Sequence, residues 1–299
     1  MTTQSHPPLT APDFPAPRRN HDGPETRRTV DRLIALRHRL ERTDLRPCDA
    51  VDAAFGELVG LCCHPPAGCT AHVLDRIAPH ADALRTLAST GEGHMEAHWA
   101  RRIAGDADPD AALERFPYLG NYHDLVRLET GALAALGLPG PRRAVVLGSG
   151  PLPLTGLVLA ERYGADVLHV DRDPTAIEAG DAVAAAVGIP ARSLVADLDG
   201  PLPPELVTEL RAADLVLVGA LVGTDRAAKD AITARLAAAA PDAVLLVRSA
   251  AGLRTLLYPE VTPADLPHLD VLLEVHPRTD VVNSVLVGRP RREDRVPVR

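Results

Sequence analysis

The stretch that most restricts what this chain can fold into is Arg143–Ala160, RAVVLGSGPLPLTGLVLA. Ala144–Leu147 is a short apolar run of the kind that forms a buried parallel strand. Gly148-Ser149-Gly150 follows at once, and Pro151–Thr155 leads into an apolar, helix-compatible segment ending near Tyr163. Strand, glycine turn and helix in that order make the nucleoside-binding unit of an open α/β sheet. Glycine is required there because a side chain would hold a ligand away from the backbone. The full G-x-G-x-x-G fingerprint is absent, since Pro153 stands where its third glycine would be, so the loop alone is equally readable as a tight turn. The following residues favour a ligand. Ala165–Val170 reads as a second strand ending in Asp171, and an acid about twenty positions after the turn is placed to accept hydrogen bonds from ribose hydroxyls. Dinucleotide enzymes and class I S-adenosylmethionine (SAM) enzymes share this layout, so it names a nucleoside and not a reaction.

Further short apolar runs lie at 192–196, 214–219, 243–247, 271–275 and 281–287. With 144–147 and 166–170 they make seven, the last two separated only by a short link, which fits the sheet of class I SAM enzymes. The third strand is expected to end in Asp197, an acid placed for the adenine amino group, or else a plain surface Asp. The fourth runs from Asp214 into Gly219-Ala220-Leu221-Val222-Gly223, a small-residue turn at the carboxyl edge where ligands of open α/β sheets bind. The first 140 residues differ. Helical spacing appears over 27–42, 49–62, 69–89, 94–103 and 122–136, with breaks expected at Pro65-Pro66 and at Gly91-Glu92-Gly93. The expectation is an α/β chain: a tail over 1–25, an α-helical N-terminal domain over 26–140, a class I SAM-binding Rossmann-like domain over 141–290, and a tail over 291–299, with Pro139-Gly140-Pro141 as the boundary.

Composition narrows the classes. Roughly twenty consecutive apolar residues, the length of a membrane span, occur nowhere. The first twenty residues lack the apolar core of a secretory signal, and the net charge of −8 argues against a nucleic-acid surface. The expected partner is a small molecule in a cytoplasmic protein, without nucleic acid or membrane. Cys48, Cys62, Cys63 and Cys69 lack the paired C-x-x-C spacing of structural zinc, and buried free thiols are the better reading. His94 and His98, one turn apart, lack a third ligand at a zinc spacing. No metal is expected.

Aromatics make up only 3% of the chain, so Trp99, Phe116, Tyr118 and Tyr122 within one short region are informative, whether as a site or as the core joining two domains. They sit in MEAHWARRI and FPYLGNYHDLVRLE. These two motifs, then GSGPLPLT, GALVG, RSAAGLRTLLYP and VVNSVLVGR, occur in an order that resembles the nicotianamine synthase family, and Cys63-His64-Pro65-Pro66 resembles the family's C-x-P-P turn. The likeness runs from about residue 30 to 290. It implies an α-helical domain over a SAM-binding Rossmann-like domain. The implied reaction moves the 3-amino-3-carboxypropyl group of SAM, used as substrate, to an amine (another SAM or an amino acid). It releases 5′-methylthioadenosine and serves the synthesis of a nicotianamine-like metallophore. Leu119-Gly120 and Ala251 depart from the family's usual residues and bear on which amine is the acceptor.

The resemblance also implies roles. Gly148, Ser149, Gly150, Asp171, Asp197, Ala220 and Leu221 hold SAM. Glu96 and Tyr122 carry the acceptor chemistry, with Tyr118 positioning. An amine nucleophile is largely ammonium at neutral pH, so a base contributes about 10²–10⁴-fold. Glu96, in a helix facing apolar neighbours, is suited by a raised pKa. Glu92, in the Gly-Glu-Gly break, is a rival base but is expected to be more exposed. Tyr122 can also place its ring near the sulfonium, a contact worth about 1–2 kcal/mol. Arg248 and Tyr258 hold a substrate carboxylate, or Arg248 forms an interdomain salt bridge. Other readings of the same fold are a methyltransferase, a SAM cyclase making azetidine-2-carboxylate, and a non-catalytic SAM-binding protein; monomer or homodimer is expected.

Overall fold

A computed structural model describes residues 23–291. The expected tails therefore lie outside the described residues, except for Gly23–Glu25 and Arg291. The chain opens with six helices: α1 (Pro24–Glu41), α2 (Asp49–Cys63), α3 (Thr70–Ile77), α4 (Ala81–Ala104), α5 (Pro109–Glu114) and α6 (Leu119–Ala135). In α1, Pro24 occupies the first turn, where its missing amide costs nothing, and Val30, Leu33, Leu36 and Leu40 form one buried stripe. α2 stops at Cys63, ahead of Pro65-Pro66. α5, which the apolar spacing does not reveal, is six residues long and buries only Ala112; its start is marked by Asp108, whose carboxylate accepts from the Ala111 amide.

The break expected at Gly91–Gly93 does not exist. α4 runs straight through it for 24 residues. An interior glycine costs a helix only about 1 kcal/mol, and Gly91 has a packing reason: a Cβ there would lie 2.2 Å from the Phe55 ring of α2. Glycine thus admits the ring rather than ending the helix.

From Arg143 the chain alternates strand and helix: β1 (Arg143–Leu147), α7 (Leu154–Tyr163), β2 (Asp166–Asp171), α8 (Pro174–Ala186), β3 (Arg192–Val195), α9 (Pro204–Ala212), β4 (Leu215–Val218), α10 (Arg226–Ala239), β5 (Val244–Ser249), β6 (Leu269–Val275) and β7 (Ser284–Pro290). They form one sheet in the order β3-β2-β1-β4-β5-β7-β6. The first five pair in parallel, while β7 runs antiparallel to both β5 and β6, as the hairpin-like last pair predicted. This is the class I SAM-binding fold. β3 ends at Val195, two residues earlier than expected, so Asp197 lies in the loop beyond it.

Both sheet faces are covered. Val145, Leu147, Leu168, Val170, Val216 and Val218 pack with residues of α9 and α10. Ala144, Val146, Val167, Leu215 and Leu217 pack with Val158 and Leu159 of α7 and with Val126 and Leu133 of α6. The last N-terminal helix is thus part of the sheet's own core. The reverse exchange also occurs. After β5, Leu253, Leu256 and Leu257 enter the cluster of Leu33, Leu58 and Val73 from α1–α3. Leu253 and Leu256 are 1% exposed, and burial of such a side chain contributes about 1.5–3 kcal/mol.

The proline in the glycine loop is accommodated by a shift of labour. The third glycine of a dinucleotide fingerprint lets helix and strand approach closely. Here Gly156 does this, one turn into α7, where a Cβ would stand 2.2 Å from His169 Cε1 on β2. Burial holds that histidine neutral by lowering its pKa to about 4. Pro153 instead packs on α8, 3.2 Å from the position a Cβ on Gly180 would take.

Candidate active site

The carboxyl ends of β1–β5 open into one cavity of about 670 Å³, roofed by α2, α4 and α6. That volume lies within the range of about 300–1,000 Å³ that holds a small organic ligand. Gly148 and Gly150 both have left-handed φ, +75° and +66°, which only glycine adopts without strain. A Cβ on Gly148 would also strike Val222 at 2.5 Å. The Asp171 carboxylate ties this loop to β2: the Gly150 amide donates to Oδ2 at 2.9 Å and the Asp173 amide to Oδ1 at 3.0 Å. Asp197, at the rim, accepts from the Asp199 amide at 3.0 Å. Ala220 and Leu221 border the cavity where β4 ends, and Leu221 is 40% exposed. Ser149 Oγ is buried with no hydrogen-bond partner among the described residues.

The opposite wall is α4. Glu92 and Glu96 are one turn apart on the face turned to the cavity, and each is held by a phenol. Tyr122 donates to Glu96 Oε1 at 2.7 Å, and Tyr258 donates to Glu92 Oε1 at 2.6 Å. Glu96 rests directly on the glycine loop, since a Cβ on Gly150 would lie 2.8 Å from Glu96 Oε2. The last glycine of the loop and the acid of MEAHWARRI thus stand side by side. Phe116, 2% exposed, is the hub behind this wall, with ring centres 5.6 Å from Trp99, 6.0 Å from Tyr118 and 6.3 Å from Tyr122. The scarce aromatics serve both expected roles: Phe116 is core, while Tyr118 and Tyr122 face the cavity.

The two carboxylates touch the cavity but are otherwise walled in by protein. That enclosure raises the Glu96 pKa to about 8, assisted by the neighbouring charges of Glu92 and Asp171 and opposed by the Tyr122 hydrogen bond and Arg248. Glu92 is raised for the same first reason and held down by Tyr258 and Arg248. Burial drives both phenols well above the ordinary tyrosine value. Glu92 is therefore not the exposed residue expected from a Gly-Glu-Gly break; the unbroken helix places it inside.

Arg248 ends β5 under the same cavity. Its Nε donates to Glu129 Oε1 at 2.7 Å, and its Nη2 donates to Glu129 Oε2 at 3.2 Å and Thr155 Oγ1 at 2.8 Å. Glu129, on α6, is 2% exposed. Burial works against the arginine's charge, but Glu129 outweighs it and the guanidinium pKa is raised. Arg248 thus forms the salt bridge between the helical part and the sheet, and it also lines the cavity.

All twelve residues assigned roles from the sequence border this cavity. Asn121, Asn283 and Thr155 border it too; the motifs FPYLGNYHDLVRLE, VVNSVLVGR and GSGPLPLT carried them without a role. The cysteines do not converge: Cys62, Cys63 and Cys69 are buried free thiols, while Cys48, expected to be buried, is exposed on the cap of α2. Among the described residues no group of three His, Cys, Asp or Glu side chains is placed to hold a metal ion.

A sequence model described as Nicotianamine synthase protein matches residues 23–294. The chain belongs to the nicotianamine synthase family. Nicotianamine synthase 1 of Oryza sativa subsp. indica is 38% identical over 274 residues, covering 87% of this chain and 80% of its own. Probable nicotianamine synthase 4 of Arabidopsis thaliana is 33% identical over 274 residues, covering 89% and 83%. Among solved structures, MtNAS in complex with S-adenosylmethionine superposes with a TM-score of 0.72 at 23% identity over 87% of this chain and 97% of that one. That likeness supports the family's two-part fold.

Proposed function

We propose that this family member transfers the 3-amino-3-carboxypropyl group of SAM to an amine, another SAM or an amino acid, in synthesis of nicotianamine or a nicotianamine-like metallophore. The observation that carries this reading is the placement of Glu96 beside Gly150, its Oε2 2.8 Å from where a Cβ on that glycine would lie: a carboxylate of raised pKa, oriented by Tyr122, stands next to the loop that would bind the nucleoside. The relatives' names and the MtNAS structure described as a complex with MTA and tNA support it. The acceptor nitrogen attacks the γ-carbon of the methionyl chain, and the carbon–sulfur bond breaks. Its electron pair returns to sulfur, turning the sulfonium into the neutral thioether of 5′-methylthioadenosine. The proton lost from nitrogen goes to Glu96, which the Tyr122 hydroxyl orients. The same hydroxyl stabilises Glu96 in its charged form, so it keeps the base competent near neutral pH.

Gly148 and Gly150 lie against the nucleoside, Asp171 accepts from the ribose and Asp197 from the adenine amine. The enclosing wall of α2, α4 and α6 excludes water from a reactive sulfonium. A small-molecule enzyme of the cytoplasm, as monomer or homodimer, completes the reading; no helix among the described residues is long and apolar enough to cross a membrane. Mass spectrometry of products from SAM alone, then from SAM with amino acids, tests it. Methylthioadenosine with an aminocarboxypropylated amine is expected. S-adenosylhomocysteine would mean methyl transfer, azetidine-2-carboxylate would mean cyclisation, and no turnover would mean a binding protein.

A further inference from the structure

We propose that Asn283 and the open edge of Arg248 form a subsite for the carboxylate of a substrate α-amino-acid group, with Glu92 beside them for its ammonium. This rests on the reading above and names what holds the amino-acid end of the substrate.

Asn283 is 8% exposed and lines the cavity, yet its Nδ2 is buried with no partner among the described residues. Buried amide donors are nearly always paired, so an orphan donor on a cavity wall points to a ligand acceptor. The β5–β7 register pairs Arg248 with Val285 and Ser249 with Ser284. Asn283 therefore stands one residue beyond the ladder, beside the strand end that carries Arg248. In Arg248, Nε and Nη2 are committed to Glu129 and Thr155, while Nη1 has no hydrogen-bond partner among the described residues. Two donor groups, one cationic, thus lack a protein partner among the described residues, on two residues that line one cavity. Donors of this kind match a carboxylate.

The neighbouring acceptor completes the match. Glu92 lines the same cavity as Arg248 and Asn283, and Tyr258 occupies only Oε1 of that carboxylate. An α-amino acid carries its carboxylate and ammonium on a single carbon, so it needs donors and an acceptor side by side. The phenol of Tyr258, expected from the sequence to hold the carboxylate, is instead spent on Glu92 and acts by orienting it.

SAM and an amino-acid acceptor both carry this group, and two ligands separate them. 5′-Methylthioadenosine has the nucleoside and sulfur of SAM without the amino acid. Affinities of the parent, Asn283→Ala and Asn283→Asp for SAM and for methylthioadenosine are measured by calorimetry. If the subsite serves the donor, Asn283→Ala weakens SAM by about tenfold or more and leaves methylthioadenosine within about twofold. If it serves the acceptor, SAM affinity is kept and the KM of the acceptor in methylthioadenosine production rises by about tenfold. In either case Asn283→Asp, nearly isosteric and able to fold where the smaller residue fails, loses more than Asn283→Ala, because it sets one carboxylate against another. Equal weakening of SAM and methylthioadenosine, or no change in affinity or KM, overturns the proposal. Failure of the aminocarboxypropyl reading itself would show in the parent's products, not in the variants alone.

Discussion

Replacing Glu96 by Gln removes the proton acceptor while keeping size and the Tyr122 contact. With a pKa of about 8, Glu96 in the free protein is only about one-tenth ionised at pH 7, and its ionised fraction grows about fiftyfold between pH 6 and pH 8. The parent's kcat/KM for SAM should rise by that order and level off above pH 8. The kcat limb should lie lower, because a bound sulfonium beside the carboxylate favours its charged form. Glu96→Gln should form methylthioadenosine at least about 10²-fold more slowly, with SAM affinity changed by no more than a few fold, and the limb near pH 8 should vanish. Residual activity should climb with pH as the acceptor amine itself loses its proton. An independent check uses the apo protein. The folded pKa lies above the ordinary 4.5, so the group's contribution to stability is present below about pH 4.5 and is lost as pH rises through about 8. Thermal melts of the parent should therefore fall over that window more steeply than those of Glu96→Gln. A variant that turns over like the parent, or keeps its limb near pH 8, would refute the assignment of Glu96 as base.

Further outcomes follow from the same contacts. Tyr122→Phe removes a hydrogen bond that lowers the Glu96 pKa, so the kcat/KM limb should move above pH 8. Glu92→Gln removes a like charge that raises it, so the limb should move below pH 8; pH profiles of both variants check these opposite shifts. Asp171→Ala removes the acceptor for the Gly150 and Asp173 amides as well as the proposed acceptor for the ribose, and calorimetry should show SAM binding weakened by at least about tenfold. Gly150→Ala forces a side chain onto a φ of +66° and to 2.8 Å from Glu96 Oε2. Steady-state assays should show both a higher KM for SAM and a lower kcat, whereas Gly131→Ala in α6, where a Cβ meets nothing, should change neither.

The sheet was legible because each of its seven strands is a short apolar run between polar or glycine-containing links, and because Asp171 follows Gly150 at the spacing a nucleoside demands. The helices were less legible where glycine serves packing. Gly91 looks like a breaker in the sequence, and only the Phe55 ring, 36 positions earlier in the chain, explains it. That one misreading also misplaced Glu92. Tyr258 and Glu92 are 166 positions apart, so nothing local announces that the phenol orients a carboxylate. Asn283 was hidden for another reason: the signal is an unpaired donor, which exists only once the partners that might have paired it are known to lie elsewhere.

The reciprocal packing of α6 on the sheet and of Leu253–Leu257 among the N-terminal helices has a consequence for modularity. Each half completes the other's hydrophobic core, so cutting the chain at Pro139–Pro141 would strip α6 from the sheet and leave the α1–α3 cluster open where three leucines belong. The halves should melt together as one cooperative unit. The nucleoside-binding part could not have been borrowed whole from a methyltransferase and capped later without rebuilding its interior. The part of α4 that carries Glu96 is held against the glycine loop by a further shared cluster, in which Ala100 and Ile103 pack with Leu152, Leu154 and Leu157, so catalytic alignment and global stability should be lost in a single step.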